Sequence, residues 1–435
     1  LSAYTEVYLY IPVTLPLLSI HSSFINSNPS ILYPKADSFS LFLFLVLYRI
    51  AQEMYYAKFI VPIYSYAGYI NDASLSRYII SWAFFIGMAL LFIKAMFGKD
   101  RFWSNVSFVL LLLKFTPLTI LLGYISYEKA YIVTNFIFWF MFVVLCNNMP
   151  SIKIVSNDCI EKHNRCLKNL FYIVIGLFVI SVLYISIRYT GFHLHTSLFD
   201  VYDIRFEQRE NSYPTVFRYI LAASTLLCPL VICYLLDKKK YFLAFVFAII
   251  IYIDFSIVGL KSIVFATVIG IIIRLYYKQY YLRYIPLLAS IFILLISFVK
   301  NATIQLGVSF VFWRVFYVPS GMDYEYYTFF NLFEPDYYRN SIFSRFGMNS
   351  PYSSTSVDIA VGEYFSPEVE GIRANNGLIS EAYANFGNEG CFILPFILVV
   401  YFKIISSCAK GVNESYIFFI AVIFSYAIIS TFIPA

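Results

Sequence analysis

Charge is scarce in this sequence: 13% of its 435 residues are charged, where a soluble domain carries about 25%. Apolar residues make up 60% and the mean hydropathy is +0.74. So little charge cannot clothe a water-soluble surface, so the apolar excess must face lipid and the chain reads as an all-α polytopic membrane bundle. Neither of two long polar stretches, 189–213 and 301–385, contains a cysteine; the seven are Cys146, Cys159, Cys166, Cys228, Cys233, Cys391 and Cys408. This argues against a disulfide framework in those stretches. Cys159, Cys166 and His163 fit no common zinc spacing, and two alternating histidines, His193 and His195, are a poor metal site. There is no Gly-rich phosphate loop, no G-x-S-x-G, no D-x-D pair and no internal repeat. Chemistry by this chain would therefore use a substrate already in the membrane. No metal, no cofactor and no nucleic acid is expected.

What is present is a ladder of apolar runs. Segments of about 20 apolar residues, each long enough to span a bilayer, fall near 6–20, 39–63, 78–97, 103–124, 130–147, 168–188, 214–235, 241–259, 261–277, 284–300, 386–406 and 415–435. That makes about 12 transmembrane helices. The sequence starts at Leu1 and "STFIPA" stops within an apolar run, so it reads as trimmed at both ends. Lysine and arginine gather in alternate short loops, among them "KAMFGKDR", 148–168 and "DKKK", which face the cytoplasm by the positive-inside rule. The stretches 189–213 and 301–385 then lie outside. The expected organisation is a bundle over 1–300 carrying the short outside loop 189–213, a large outside loop over 301–385, and C-terminal spans over 386–435.

Lysine is missing from both outside stretches, although the chain has 17 lysines to 14 arginines. Their cations are Arg205, Arg209, Arg314, Arg339, Arg345 and Arg373. A guanidinium is a planar fork that grips phosphate through two parallel hydrogen bonds and keeps its charge. A topological bias against lysine, with arginines pairing local acids, gives the same composition. "VYDIRFEQRENSYP" would place Arg205 and Arg209 on one helix face among Asp203, Glu207 and Glu210: a phosphate grip with a nearby base, or a solvated face of ion pairs. "IVGLKSIVF" puts Lys261 in a tight turn at the outside rim, where it could reach a lipid-linked phosphate or the headgroups. Lys114, in "VLLLLKFTPLTILL", is an intramembrane cation and a functional candidate by default, with carbonyls freed at Pro117 as its expected partners. Arg314 opens the aromatic run "VFWRVFYVPSGMDYEYYTFFN", which reads as a surface helix whose rings, Tyr327 among them, could stack on sugars or anchor at the interface.

Four of these stretches, taken in order, resemble the Wzy-type O-antigen polymerases of bacterial surface polysaccharide assembly: "VYDIRFE", "GLKS", "RVFYVPSGMDYEYYTFF" and "ANNGLISEAYANFGNEG". The resemblance covers residues 190–435; the N-terminal half matches only as generic spans. It implies a fold similar to the GT-C-like O-antigen ligase architecture, with a long helical periplasmic loop, in the bacterial inner membrane. It implies an inverting, metal-independent glycosyltransferase that joins undecaprenyl-diphosphate-linked repeat units, with a chain-length regulator as a further partner. By motif match Arg205, Lys261 and Arg314 bind the pyrophosphate and converge at the outside rim; Arg209, Arg373 and Tyr327 join them by position. The base that takes the acceptor's proton is expected to be Glu381, in a short re-entrant helix facing the sugar. Asp203 is second, and Glu207, Glu210, Asp358 and Glu363 follow. An O-antigen ligase shares the chemistry but usually carries a histidine in the long loop, and 301–385 has none. A flippase for the lipid-linked unit would show short loops throughout and repeat symmetry.

Overall fold

The computed structural model describes residues 35–433, apart from 99, 151, 153–156, 193, 195–213, 260, 342, 344–345, 353–354 and 410–411. Every regular element among the described residues is a helix. Eight helices are long and apolar enough to cross a membrane: Leu75–Met96, Arg101–Tyr124, Lys129–Asn148, Lys168–Arg188, Tyr241–Val258, Gln279–Ser297, Ala302–Leu332 and Ile379–Cys408. Ser224–Asp237, Ser262–Tyr276 and Glu414–Ser430 are shorter apolar helices. The expected run at 6–20 and the Arg205 loop lie outside the described residues.

The chain divides into two compact units. One takes in 153–279 and 407–423. Here the turn expected at "GLKS" is real: Gly259 ends the helix Tyr241–Val258 at φ +63°, its N–H bonded to Phe255 O at 2.8 Å, and the next helix opens at Lys261. A left-handed residue closing a helix is a position for glycine. A Cβ on Gly270 would lie 3.1 Å from Phe419 and 3.2 Å from Pro229, so three helices meet closely there. Arg274 pairs with Asp237 at 2.9 Å, and Tyr416 donates to the same carboxylate at 2.7 Å.

The other unit takes in 29–152, 280–406 and 424–435. Its inner helix is Arg101–Tyr124, buried along almost its whole length. Asp100 caps that helix by accepting from Trp103 N at 3.1 Å, and holds Lys403 at 3.4 Å. Three helices of this unit widen into a single π turn, at Tyr56–Ile60, Leu111–Phe115 and Trp313–Tyr317. In each, the next residue donates to the carbonyl five back: Val61 to Tyr56, Thr116 to Leu111, Val318 to Trp313. A proline then follows in each: Pro62, Pro117 and Pro319. The cause is shared. Proline lacks an N–H and its ring crowds the carbonyl four residues back, and widening the preceding turn relieves both. The helix therefore continues through Pro117 rather than breaking there. Each widened turn carries one cation, Lys58, Lys114 or Arg314.

The aromatic run after Arg314 is the second half of one 31-residue helical stretch, Ala302–Leu332, which itself qualifies as a span. The apolar character of the stretch lies mainly in its first half, Ala302–Phe312, whereas the half after Arg314 carries Asp323 and Glu325 and is more polar. The described polar segment begins only after Leu332.

Candidate functional site

The centre of the larger unit is a buried ion pair. Lys114 Nζ lies 2.7 Å from Asp323 Oδ2, and both side chains are fully buried. A lone charge at that depth is costly, so each needs the other and further hydrogen bonds. Lys114 also donates to Pro319 O at 2.7 Å. Asp323 Oδ1 accepts from Ser380 Oγ at 2.9 Å and from Asn376 Nδ2 at 3.0 Å. Asn376 donates to Pro319 O as well, at 2.8 Å. Lys114 thus finds its carbonyl at Pro319, not at the carbonyls near Pro117. One network ties the inner helix, the aromatic helix Val318–Leu332 and the re-entry segment 376–380 together. Asp323 carried no signal of its own in the sequence; a lone intramembrane lysine demanding a partner was the only pointer to it.

The re-entry segment is strained where the network grips it. Leu378, fully buried, sits at φ +52° just before the helix Ile379–Phe386, a region a non-glycine residue occupies only when its surroundings hold it. Glu381 in that helix is 1% exposed. Its Oε1 accepts from Tyr338 Oη at 2.8 Å and from Ile433 N at 3.0 Å. Tyr338 is itself at φ +58°, its N–H donating to Asn385 Oδ1 at 2.7 Å, while Asn385 Nδ2 bonds Glu381 O at 3.0 Å. Burial pushes the Tyr338 hydroxyl up, and the adjacent Glu381 charge adds to it, so this phenol stays a donor. The short helix expected at "ISEAYANF" is present. Its glutamate lies beneath the Tyr337–Tyr338 turn rather than on an open surface.

Glu381 thereby pins the polar segment after Leu332 to the helices of this unit. Removing the Tyr338 donor leaves a buried carboxylate short of one partner, so Tyr338→Phe is expected to cost about 1–3 kcal/mol. The thermal midpoint of purified protein in detergent checks this; an unchanged midpoint would make the bond dispensable.

The remaining sequence candidates separate. Arg373 is exposed and pairs with Asp358 at 3.0 Å. Glu363 accepts from Gly371 N at 2.9 Å. Tyr327 is 3% exposed, packed against Tyr131 and Tyr383 at 5.3 Å each, with its hydroxyl on Glu128 Oε2 at 3.0 Å. Its ring is a packing element of a tyrosine cluster that also holds Tyr127 and Tyr324, whose centroids are 4.7 Å apart. Arg314 is exposed on its π turn and makes no ion pair among the described residues. Asp203, Arg205, Glu207, Arg209 and Glu210, with His193 and His195, lie outside the described residues, as does the side chain of Lys261, which belongs to the other unit. No group of acids, histidines and cysteines among the described residues could hold a metal ion. No protein-family model, no curated protein and no solved structure matches the chain.

Proposed function

We propose that this chain is a membrane glycosyltransferase that polymerises undecaprenyl-diphosphate-linked repeat units at the outer face of a bacterial inner membrane. The observation that carries the reading is the cation on the aromatic helix. Arg339 and Arg373 are engaged with Glu334 and Asp358, whereas Arg314 stands exposed and unpaired among the described residues, in one of the four stretches that resemble the polymerases. The lysine-free composition of the outside stretches supports the same reading. In the reaction an acceptor hydroxyl attacks the anomeric carbon of the growing glycan. Undecaprenyl diphosphate leaves from the opposite side. The leaving diphosphate gains negative charge in the transition state, and guanidinium groups fixed in place stabilise that charge without a metal. In this reading Arg205 and Lys261 join Arg314 at the diphosphate, Arg209 and Arg373 flank it, about 12 helices form the bundle, and 333–378 forms the outside cover.

A deletion strain is expected to make surface glycan capped with single repeat units. Complete loss of surface glycan would support a ligase or a flippase instead. Arg205→Lys is expected to lower polymer formation by about tenfold or more, since a point charge replaces a two-pronged grip. A strain carrying it that makes full-length glycan at normal protein level would remove Arg205 from the diphosphate site.

A further inference from the structure

Ten acids lie between residues 301 and 389, and the structure accounts for nine. Asp323 is held by Lys114, Glu334 by Arg339 and Asp358 by Arg373. Asp336 accepts from Asn340 N and Ser350 Oγ, Glu363 from Gly371 N, and Glu381 from Tyr338 and Ile433. Glu368, Glu370 and Glu389 are exposed to solvent. Glu325 alone is partly sheltered and has no hydrogen-bond or ion-pair partner among the described residues. It is the acid whose oxygens are uncommitted.

Its neighbours give it a setting. Glu325 stands four residues after Gly321, on the same face of the aromatic helix. Tyr69 is docked on that face: a Cβ on Gly321 would lie 2.6 Å from Tyr69 Oη. Tyr69 is brought there by the corner at Gly68, φ +83°, and packs edge-on to Trp313 at 6.0 Å. Burial pushes the Tyr69 hydroxyl up; the Glu325 charge adds to this and the Arg314 charge opposes it. Tyr69 thus lies along the helix from Trp313, the neighbour of Arg314, to Gly321, one turn before Glu325. Asp323, two residues earlier, points instead into the bundle towards Lys114. The helix thus presents one acid to a buried lysine and the other to the face on which Tyr69 docks.

We infer that Glu325 is the base of the transfer, its carboxylate accepting the proton of the attacking acceptor hydroxyl while Arg314 faces the departing diphosphate. The inference rests on the glycosyl-transfer reading above. The acceptor O–H bond breaks and its proton passes to a Glu325 oxygen. The oxygen lone pair forms the new bond to the anomeric carbon, and the pair of the old carbon–oxygen bond leaves on the diphosphate. Glu381, already bonded through Oε1 under Tyr338, holds the outside segment in place.

The test uses full-length protein in detergent with lipid-diphosphate-linked repeat units extracted from a strain lacking this chain, and reads polymer on a gel. Wild type is expected to lengthen the glycan. Glu325→Gln is expected to slow this by about 100-fold or more, the usual weight of a positioned base, at an unchanged elution profile. Glu325→Ala is expected to regain activity when formate is added, which a packing role would not allow. Wild type that builds no polymer overturns the glycosyl-transfer reading itself. Active wild type with a Glu325→Gln rate within about twofold of it overturns the inference about Glu325 and leaves that reading standing. If Glu325→Gln does not fold, formate decides alone: restored polymer from Glu325→Ala supports the base, and none overturns it.

Discussion

Lys114→Met is expected to unfold most of the protein at temperatures the wild type withstands. The substitution leaves Asp323 fully buried with its charge uncompensated, and breaking one side of such a pair costs about 3–5 kcal/mol. Asp323→Leu should do the same from the other side, stranding the ammonium of Lys114. The double variant Lys114→Met/Asp323→Leu removes both charges and should recover much of the loss, because an apolar pair of similar volume pays no desolvation penalty. The recovery should be incomplete, since Asn376 and Ser380 lose the oxygen they share. Thermal midpoints of the four proteins in one detergent form the cycle. Additive losses would mean that the two charges do not interact, and the pair would drop out of the account of this unit.

The second large effect belongs to Gly377. A Cβ there would fall 2.2 Å from Ile428 O and 2.4 Å from Thr431 O. Both are backbone atoms at the end of the helix Glu414–Ser430, which cannot swing aside as a side chain would. The same glycine donates its N–H to Ile429 O at 3.0 Å, satisfying a carbonyl that the helix end leaves without an internal partner. Gly377→Ala must push the re-entry segment off this seat, and overpacking of this kind costs about 1–3 kcal/mol. Asn376, the adjacent residue, would move with it and loosen its hold on Asp323. A lowered midpoint together with lost polymer formation is the expected pair of results. An alanine variant as stable as wild type would show that the segment does not seat on that helix end.

Much of the described fold was legible in the sequence, and the parts that were not share a cause. Hydropathy gives the membrane-spanning helices because length and composition are local. The turn at Gly259 and the short helix at 379–386 follow from glycine and asparagine placement, which is also local. Lys114 stands out because a cation in an apolar run is rare at any position. Its partner does not, since Asp323 is 209 positions away and looks like any acid in a tyrosine-rich stretch. Glu381 was read as a candidate base in a short helix with no cation near it in sequence; that it is buried agrees with that reading, but its partners were not legible. What covers it is Tyr338 and the backbone of Ile433, both fixed by tertiary folding. Glu325 was passed over for the complementary reason: only once the other acids between 301 and 389 have been paired or exposed does its lack of a partner become visible.

The three widened turns divide their helices into halves with separate angular phases. Each π turn holds one residue more than an α turn, and one residue corresponds to about 100° of rotation about the axis. The stripe that faces inward before Tyr56, through Leu41, Leu45, Tyr48 and Gln52, is therefore not continued by the usual alternation of three and four beyond Ile60, and the same offset operates at Leu111–Phe115 and Trp313–Tyr317. A helical wheel drawn straight through any of them misassigns the far half. Deleting a single residue from such a turn would leave composition, length and hydropathy almost untouched, yet swing everything on one side of the proline by more than a quarter of a circle relative to the other.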